Sequence, residues 1–147
     1  MSIPKHFRMA MSTIKDVSYD NSNHVYMTDS ELPVYNFDTI KDWYASELAV
    51  DENKLDVKSN DALYITSDSI LFIEFKNGNI DKGNEKAALK RKIYDSYIIL
   101  FDEITNAKDV ILGFRSSLGF MLKHADYILV YNGEKNPSSK KNVIRHG

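Results

Sequence analysis

An α/β fold, with a central mixed β-sheet flanked by helices, is predicted by three features of the sequence. Two apolar, β-favouring runs, Asp61–Thr66 and Ser69–Lys76, are split by the turn pair Ser67-Asp68. A long helical stripe follows them, and a last apolar run, Asp126–Tyr131, comes after it. Hairpin, helix and strand in that order build a sheet covered by helices.

The elements can be justified in order. Residues 1–37 are polar and poorly periodic, which suggests a partly ordered extension with one short strand at His24–Met27. Asp38 is placed as an N-cap, and Ile40, Trp43, Tyr44 and Leu48 then recur at helical spacing, predicting a helix over Thr39–Ala49. Leu55-Asp56-Val57-Lys58 alternates and reads as a weak strand. Ile70–Phe75 is apolar on both faces until Glu74, the pattern of a central strand covered on both sides. Asn77-Gly78-Asn79 stops it. Leu89, Ile93, Tyr97, Leu100 and Ile104 form the stripe of a helix from Glu85 to Ile104. Asp109–His124 is ambiguous, because Gly113 and Gly119 weaken a continuous helix. Asn132-Gly133 ends the final strand. The core therefore spans residues 38–132, and 133–147 form a basic C-terminal tail.

Composition narrows the chemistry. The 147 residues contain no cysteine, which excludes a disulfide scaffold, a zinc ribbon, a cysteine nucleophile and an iron–sulfur site. The longest apolar runs, such as Tyr97–Phe101, fall far short of a membrane span, and the first residues lack a secretory h-region, so the cytoplasm is the expected compartment. A net charge of −2 argues against coating nucleic acid by bulk electrostatics. That near-neutral total is an average of opposed regions. Residues 29–56 hold eight acids against Lys41 and Lys54, whereas residues 76–92 hold six bases against Asp81 and Glu85. Charge runs are usually solvated faces, but this basic run directly follows the best strand.

One constellation carries chemistry. Strand alternation puts Glu74 and Lys76 on one face. A two-residue turn at Ser67-Asp68 makes paired residue numbers sum to 135, so Asp61 faces Glu74. Like charges in opposed strand positions destabilise a sheet unless something compensates. A hard divalent cation would do so, since it binds through one or two carboxylates plus waters and phosphate oxygens. Lys76 beside it could orient a water or stabilise charge developing on phosphate. Acid-x-Lys alone carries little information, because it also occurs at Glu52-Asn53-Lys54 and Asp56-Val57-Lys58. The buried strand and the register-matched acid distinguish the third copy. Glu47, one heptad after Ile40, is expected on the inward face of the first helix as a third carboxylate.

These residues resemble the PD-(D/E)xK nuclease superfamily, the restriction-endonuclease-like fold, over roughly residues 38–132. The resemblance rests on Asp61 in the second strand, Glu74-Phe75-Lys76 in the third and the order αβββαβ; the proline that often precedes the first acid is replaced by Asn60. It implies a Mg²⁺- or Mn²⁺-dependent endonuclease, with Asp61 and Glu74 as metal ligands, Lys76 as catalytic lysine and Glu47 as the first-helix acid. DNA is the expected substrate. Lys82, Lys86, Lys90, Arg91 and Lys92 would guide the nucleic-acid backbone, with Tyr94 as the one aromatic suspected of contact. RNA as substrate and a binding or regulatory module that cuts nothing remain the alternatives. A chain of this size leaves little room for a specificity domain, so sequence choice would come from a homodimer, a partner or a longer parent protein. His6, His24, His124 and His146 show no paired metal-ligand spacing. Ser116-Ser117-Leu118-Gly119 is not a nucleophile elbow, and Gly78 and Gly83 lack the Gly-Lys-Ser/Thr of a phosphate loop.

Overall fold

Five strands form one mixed sheet in a computed structural model that describes residues 2–81 and 83–136. Lys82 and residues 137–147, most of the expected basic tail, lie outside the described residues. Along the chain run α1 (Lys5–Met9), β1 (Met11–Thr13), α2 (Ile14–Val17), β2 (Tyr19–Asp20), β3 (Val25–Tyr26), β4 (Pro33–Asn36) and α3 (Phe37–Glu47). Then come β5 (Ala62–Ile65), β6 (Ile70–Lys76), α4 (Gly83–Phe101), two 3₁₀ turns, α5 (Leu118–His124) and β7 (Ala125–Tyr131).

The sheet order is β1-β4-β5-β6-β7. The hairpin β5–β6 has the anticipated register, with Ile65 opposite Ile70 and Ala62 opposite Ile73. Thr66 N–H closes its turn on Ser69 O at 2.9 Å. Next to it β7 runs parallel to β6, Phe72 beside Tyr127. A parallel neighbour needs a long crossover, which α4 and α5 supply.

The two faces of β6 divide the core. Phe72 on one face meets Phe37 of α3 and Tyr97 of α4 edge-on, at ring-centroid distances of 5.8 and 5.1 Å. Burying a side chain of this size contributes about 1.5–3 kcal/mol. Ile73 on the other face packs with Val34 and Ala62, and with Ile14 and Val17 of α2. Glu74 shares the helix-side face of Phe72 by alternation.

Three expectations change. The weak strand at Leu55–Val57 is a loop: Lys58 N–H donates to Asp95 Oδ2 at 3.0 Å, and Arg91 donates to Asp56 O at 3.1 Å, so α4 holds it. The strand beside β5 is instead β4, which precedes α3 and pairs through Tyr35–Leu63 and Asn36–Ala62. The first 37 residues are therefore no appendage; they supply two sheet strands, and Phe7 is fully buried in the main core. The expected strand at His24–Met27 is reduced to β3, paired with β2 as a separate hairpin.

Helix ends moved for identifiable reasons. Asn36, not Asp38, caps α3, its side chain accepting from Asp38 N–H. That leaves Asp38 inside the first turn, where a carboxylate suits the helix dipole. Helix α4 stops at Phe101 because Asp102 caps the next turn through Ile104 N–H, leaving Ile104 exposed. The ambiguous segment resolves at Ser117, whose Oγ accepts from Phe120 N–H and starts α5. No helix among the described residues is long and apolar enough to cross a membrane.

Candidate functional site

Asp61 sits one residue before β5, and extending the hairpin register by one pair sets it opposite Glu74. Two local devices fix it there. Its backbone carbonyl accepts from Phe37 N–H at 3.0 Å, tying it to the start of α3. Its Oδ2 accepts from Phe75 N–H at 2.7 Å. Glu74 is fully buried. Its Oε2 lies 2.6 Å from Lys92 Nζ of α4, an ion pair at hydrogen-bonding distance, and its carboxyl also interacts directly with that of Asp61.

Burial dominates the electrostatics. It pushes the Glu74 carboxyl up to about 8, and the neighbouring Asp61 adds to the rise against the pull of Lys92. Asp61 is also raised by burial, with Phe75 N–H opposing. Lys92 is itself partly desolvated, but Glu74, Asp61 and Asp38 together hold its ammonium above the ordinary lysine value. The Tyr127 phenol in β7 is raised by burial and by the same two acids.

The other expected residues divide. Lys76 shares the face of Glu74 by alternation, but its Nζ pairs with Glu85 Oε2 of α4 at 3.0 Å. Glu47 is a correction: it is exposed and lines a separate cavity with His6 and Trp43. The reason is length along the helix axis. The N-terminus of α3 abuts the acid pair, so at 1.5 Å per residue Glu47 sits roughly 14 Å beyond Asp38. Asp38 is the α3 acid whose charge reaches Asp61 and Lys92, and it accepts the Ser59 hydroxyl at 2.7 Å. Because Asn36 holds the cap, Asp38 is free to face these groups from within the first turn.

Of the basic run, Lys92 turns inward to Glu74, and Arg91 pairs with Asp56 at 3.3 Å and Asp95 at 3.5 Å. Lys86 and Lys90 are exposed and lie four residues apart, with Tyr94 one turn further. If nucleic acid follows this stripe, the double substitution Lys86→Ala/Lys90→Ala will flatten the dependence of log K on log salt by about 0.7 per lost phosphate contact on a single strand. Titrations at several salt concentrations measure this, and an unchanged slope would remove both lysines from the interface.

Asn60, beside Asp61, is fully buried. Its backbone N–H donates to Ser96 Oγ at 2.9 Å, while its side-chain amide has no hydrogen-bond partner among the described residues. Leaving a buried amide unsatisfied costs about 1–3 kcal/mol.

Asp61 lines a cleft of ≈ 530 Å³, with Glu74 buried behind it; the other walls include Lys76, Asn77, Glu85 and residues 19–23 of the β2–β3 hairpin. Asp20 fastens that hairpin: its Oδ2 accepts from Asn77 Nδ2 at 2.8 Å and Asn23 Nδ2 at 2.6 Å. These two amides hold the Asp20 carboxyl down at about 2. Asn132 Nδ2 in turn donates to Asn77 Oδ1 at 2.9 Å. Sequence reading missed this wall, because nothing in residues 18–27 shows that they fold back over β6.

As a cation site the arrangement is incomplete but chemically suitable. Among the described residues no three His, Cys, Asp or Glu side chains come together to hold a metal. Asp61 and Glu74 are two adjoining oxygen-donor acids, and waters or phosphate oxygens can complete the shell of Mg²⁺. No family model, curated protein or solved structure gives a significant match to the chain.

Proposed function

We propose that this protein is a divalent-cation-dependent nuclease that hydrolyses phosphodiester bonds in DNA, on a restriction-endonuclease-like core. The observation that carries the proposal is Glu74, a fully buried carboxylate opposed to a second acid on the face that also bears Lys76 and meets Lys92. Two opposed buried acids stabilise nothing by themselves. They make sense as ligands. The hairpin, α4 and the parallel β7 support the fold assignment, whereas the placement of β4 before α3 departs from the αβββαβ order.

Asp61 and Glu74 would hold Mg²⁺ or Mn²⁺, which when bound supplies a more acidic water and neutralises phosphate charge. The chain's own groups do the rest. Lys92 balances the acid pair. Lys76, released from Glu85, holds the attacking water or a phosphate oxygen at the cleft. Asp38 strengthens the cationic character of Lys92.

A second reading, a binding module that cuts nothing, is favoured by the internal charge balance: Lys92 pairs with Glu74, and Lys76 with Glu85. Incubating plasmid DNA and labelled RNA with the protein in Mg²⁺ or Mn²⁺ separates the readings. Cleavage that falls at least ~100-fold in Glu74→Gln and Lys76→Ala is the expected result. Equal cleavage by all three proteins would refute the nuclease. RNA cut in preference to DNA would move the substrate without moving the site.

A further inference from the structure

We infer that the β2–β3 hairpin is a stacking platform for unpaired nucleotides, so that the substrate beside the acid pair is single-stranded or locally unpaired nucleic acid. The inference rests on the nuclease reading for its substrate class and adds the strand state to it.

Tyr19 and Tyr26 sit opposite each other on the hairpin, ring centroids 4.8 Å apart, and are 37% and 46% exposed. Val25, the other residue of β3, is exposed as well. A hairpin of two residues per strand has no core of its own to bury these rings. Tyr19 lines the cleft that contains Asp61 and Lys76. The hairpin is held in place by Asp20, which bonds Asn77, the residue immediately after Lys76. Tyr19 is thus held in the cleft of the lysine of the proposed reaction, and Tyr26 packs against its ring.

The chemistry of the wall favours bases over phosphates. Asn21, Asn23 and Asn79 line the same cleft with amide groups. Lys15 Nζ stands 5.0 Å from the Tyr26 ring centroid and also pairs with Glu31 at 3.9 Å, while Asp16 and Asp20 are its acidic neighbours in sequence. Among the described residues, such a rim offers no rail of cations to the paired backbones of a duplex. Aromatic faces are useful to a base only when its own face is unstacked, and in a duplex the base faces are occupied by neighbouring pairs. Stacking is also indifferent to base identity, so this wall would select strand state and not sequence.

The test is fluorescence anisotropy in EDTA, with labelled oligonucleotides of about twelve nucleotides, as single-stranded DNA, single-stranded RNA and duplex DNA. The full chain is compared with Tyr19→Leu/Tyr26→Leu, which keeps an apolar cross-strand contact, and Tyr19→Phe/Tyr26→Phe, which keeps the rings. Single strands should bind at least ~10-fold more tightly than duplex. The leucine pair should lose at least ~10-fold with an unchanged salt slope, and the phenylalanine pair should bind like wild type. Tighter duplex binding, wild-type affinity in the leucine pair, or equal loss in both pairs would each overturn the platform. Metal-dependent cleavage that is lost in Glu74→Gln, with binding untouched in the leucine pair, overturns the platform and leaves the nuclease. Tyrosine-dependent single-strand binding by a protein that cuts nothing does the reverse.

Discussion

Lys92→Met will destabilise the protein by an amount that grows with pH, from ~1 kcal/mol near pH 6 to ~3 kcal/mol near pH 9. Methionine replaces most of the lysine's volume, so the change removes charge more than packing. At pH 6 wild-type Glu74 is largely protonated, because its carboxyl titrates at about 8. A neutral acid needs its lysine little. Above pH 8 the wild-type carboxylate ionises against Lys92, 2.6 Å away. The variant has no such partner and must retain its proton or bury a lone charge. Its stability therefore continues to fall at up to ~1.4 kcal/mol per pH unit where the wild type levels off. Urea midpoints at the two pH values measure the difference. A pH-independent loss would mean that Lys92 contributes packing alone.

The parts of this site that were legible in the sequence are the local ones. Ser67-Asp68 flanked by apolar runs sets the hairpin register, and the register sets Asp61 against Glu74. Helix α4 was legible because Leu89 and Ile93 recur at one spacing and are buried. Non-local pairing was not. Strands β1 and β4 pair Met11 with Tyr35 across a long excursion, and β1 is three residues long, too short for any period to show. Lys92 lies among exposed bases in the sequence, and only the direction of α4 across the sheet turns it to Glu74 while leaving Lys86 and Lys90 in solvent. The heptad from Ile40 to Glu47 was an angular phase applied past the edge of the core, where Ser46 and Glu47 at the end of α3 are exposed although Tyr44 and Ala45 before them are buried.

Mn²⁺ will raise the midpoint of thermal unfolding, and the increment will grow between pH 6 and pH 8.5, because metal and proton compete for the same carboxylates. The sign follows from the direction of the shifts. Glu74 titrates at about 8 in the folded chain against 4.5 for the ordinary group, and Asp61 is raised as well. Without metal the folded state therefore holds more protons than the unfolded state in that window. Its stability is highest below the unfolded value and declines as pH rises through the folded one. A bound cation reverses the demand by favouring the ionised pair, so its stabilisation is smallest where the protons are held and largest where they are gone. At a metal concentration 100 times the dissociation constant the gain is about 2.7 kcal/mol. Glu74→Gln removes one proposed ligand and, with it, the carboxyl raised to about 8. It should flatten the metal-free pH profile and abolish the Mn²⁺ increment, while Lys86→Ala, distant in charge and exposed, should do neither. An increment of wild-type size in Glu74→Gln would place the cation elsewhere on the molecule. A wild-type protein indifferent to Mn²⁺ at pH 8.5 would identify Lys92 as the permanent counter-ion of this pair and favour the module that binds without cutting.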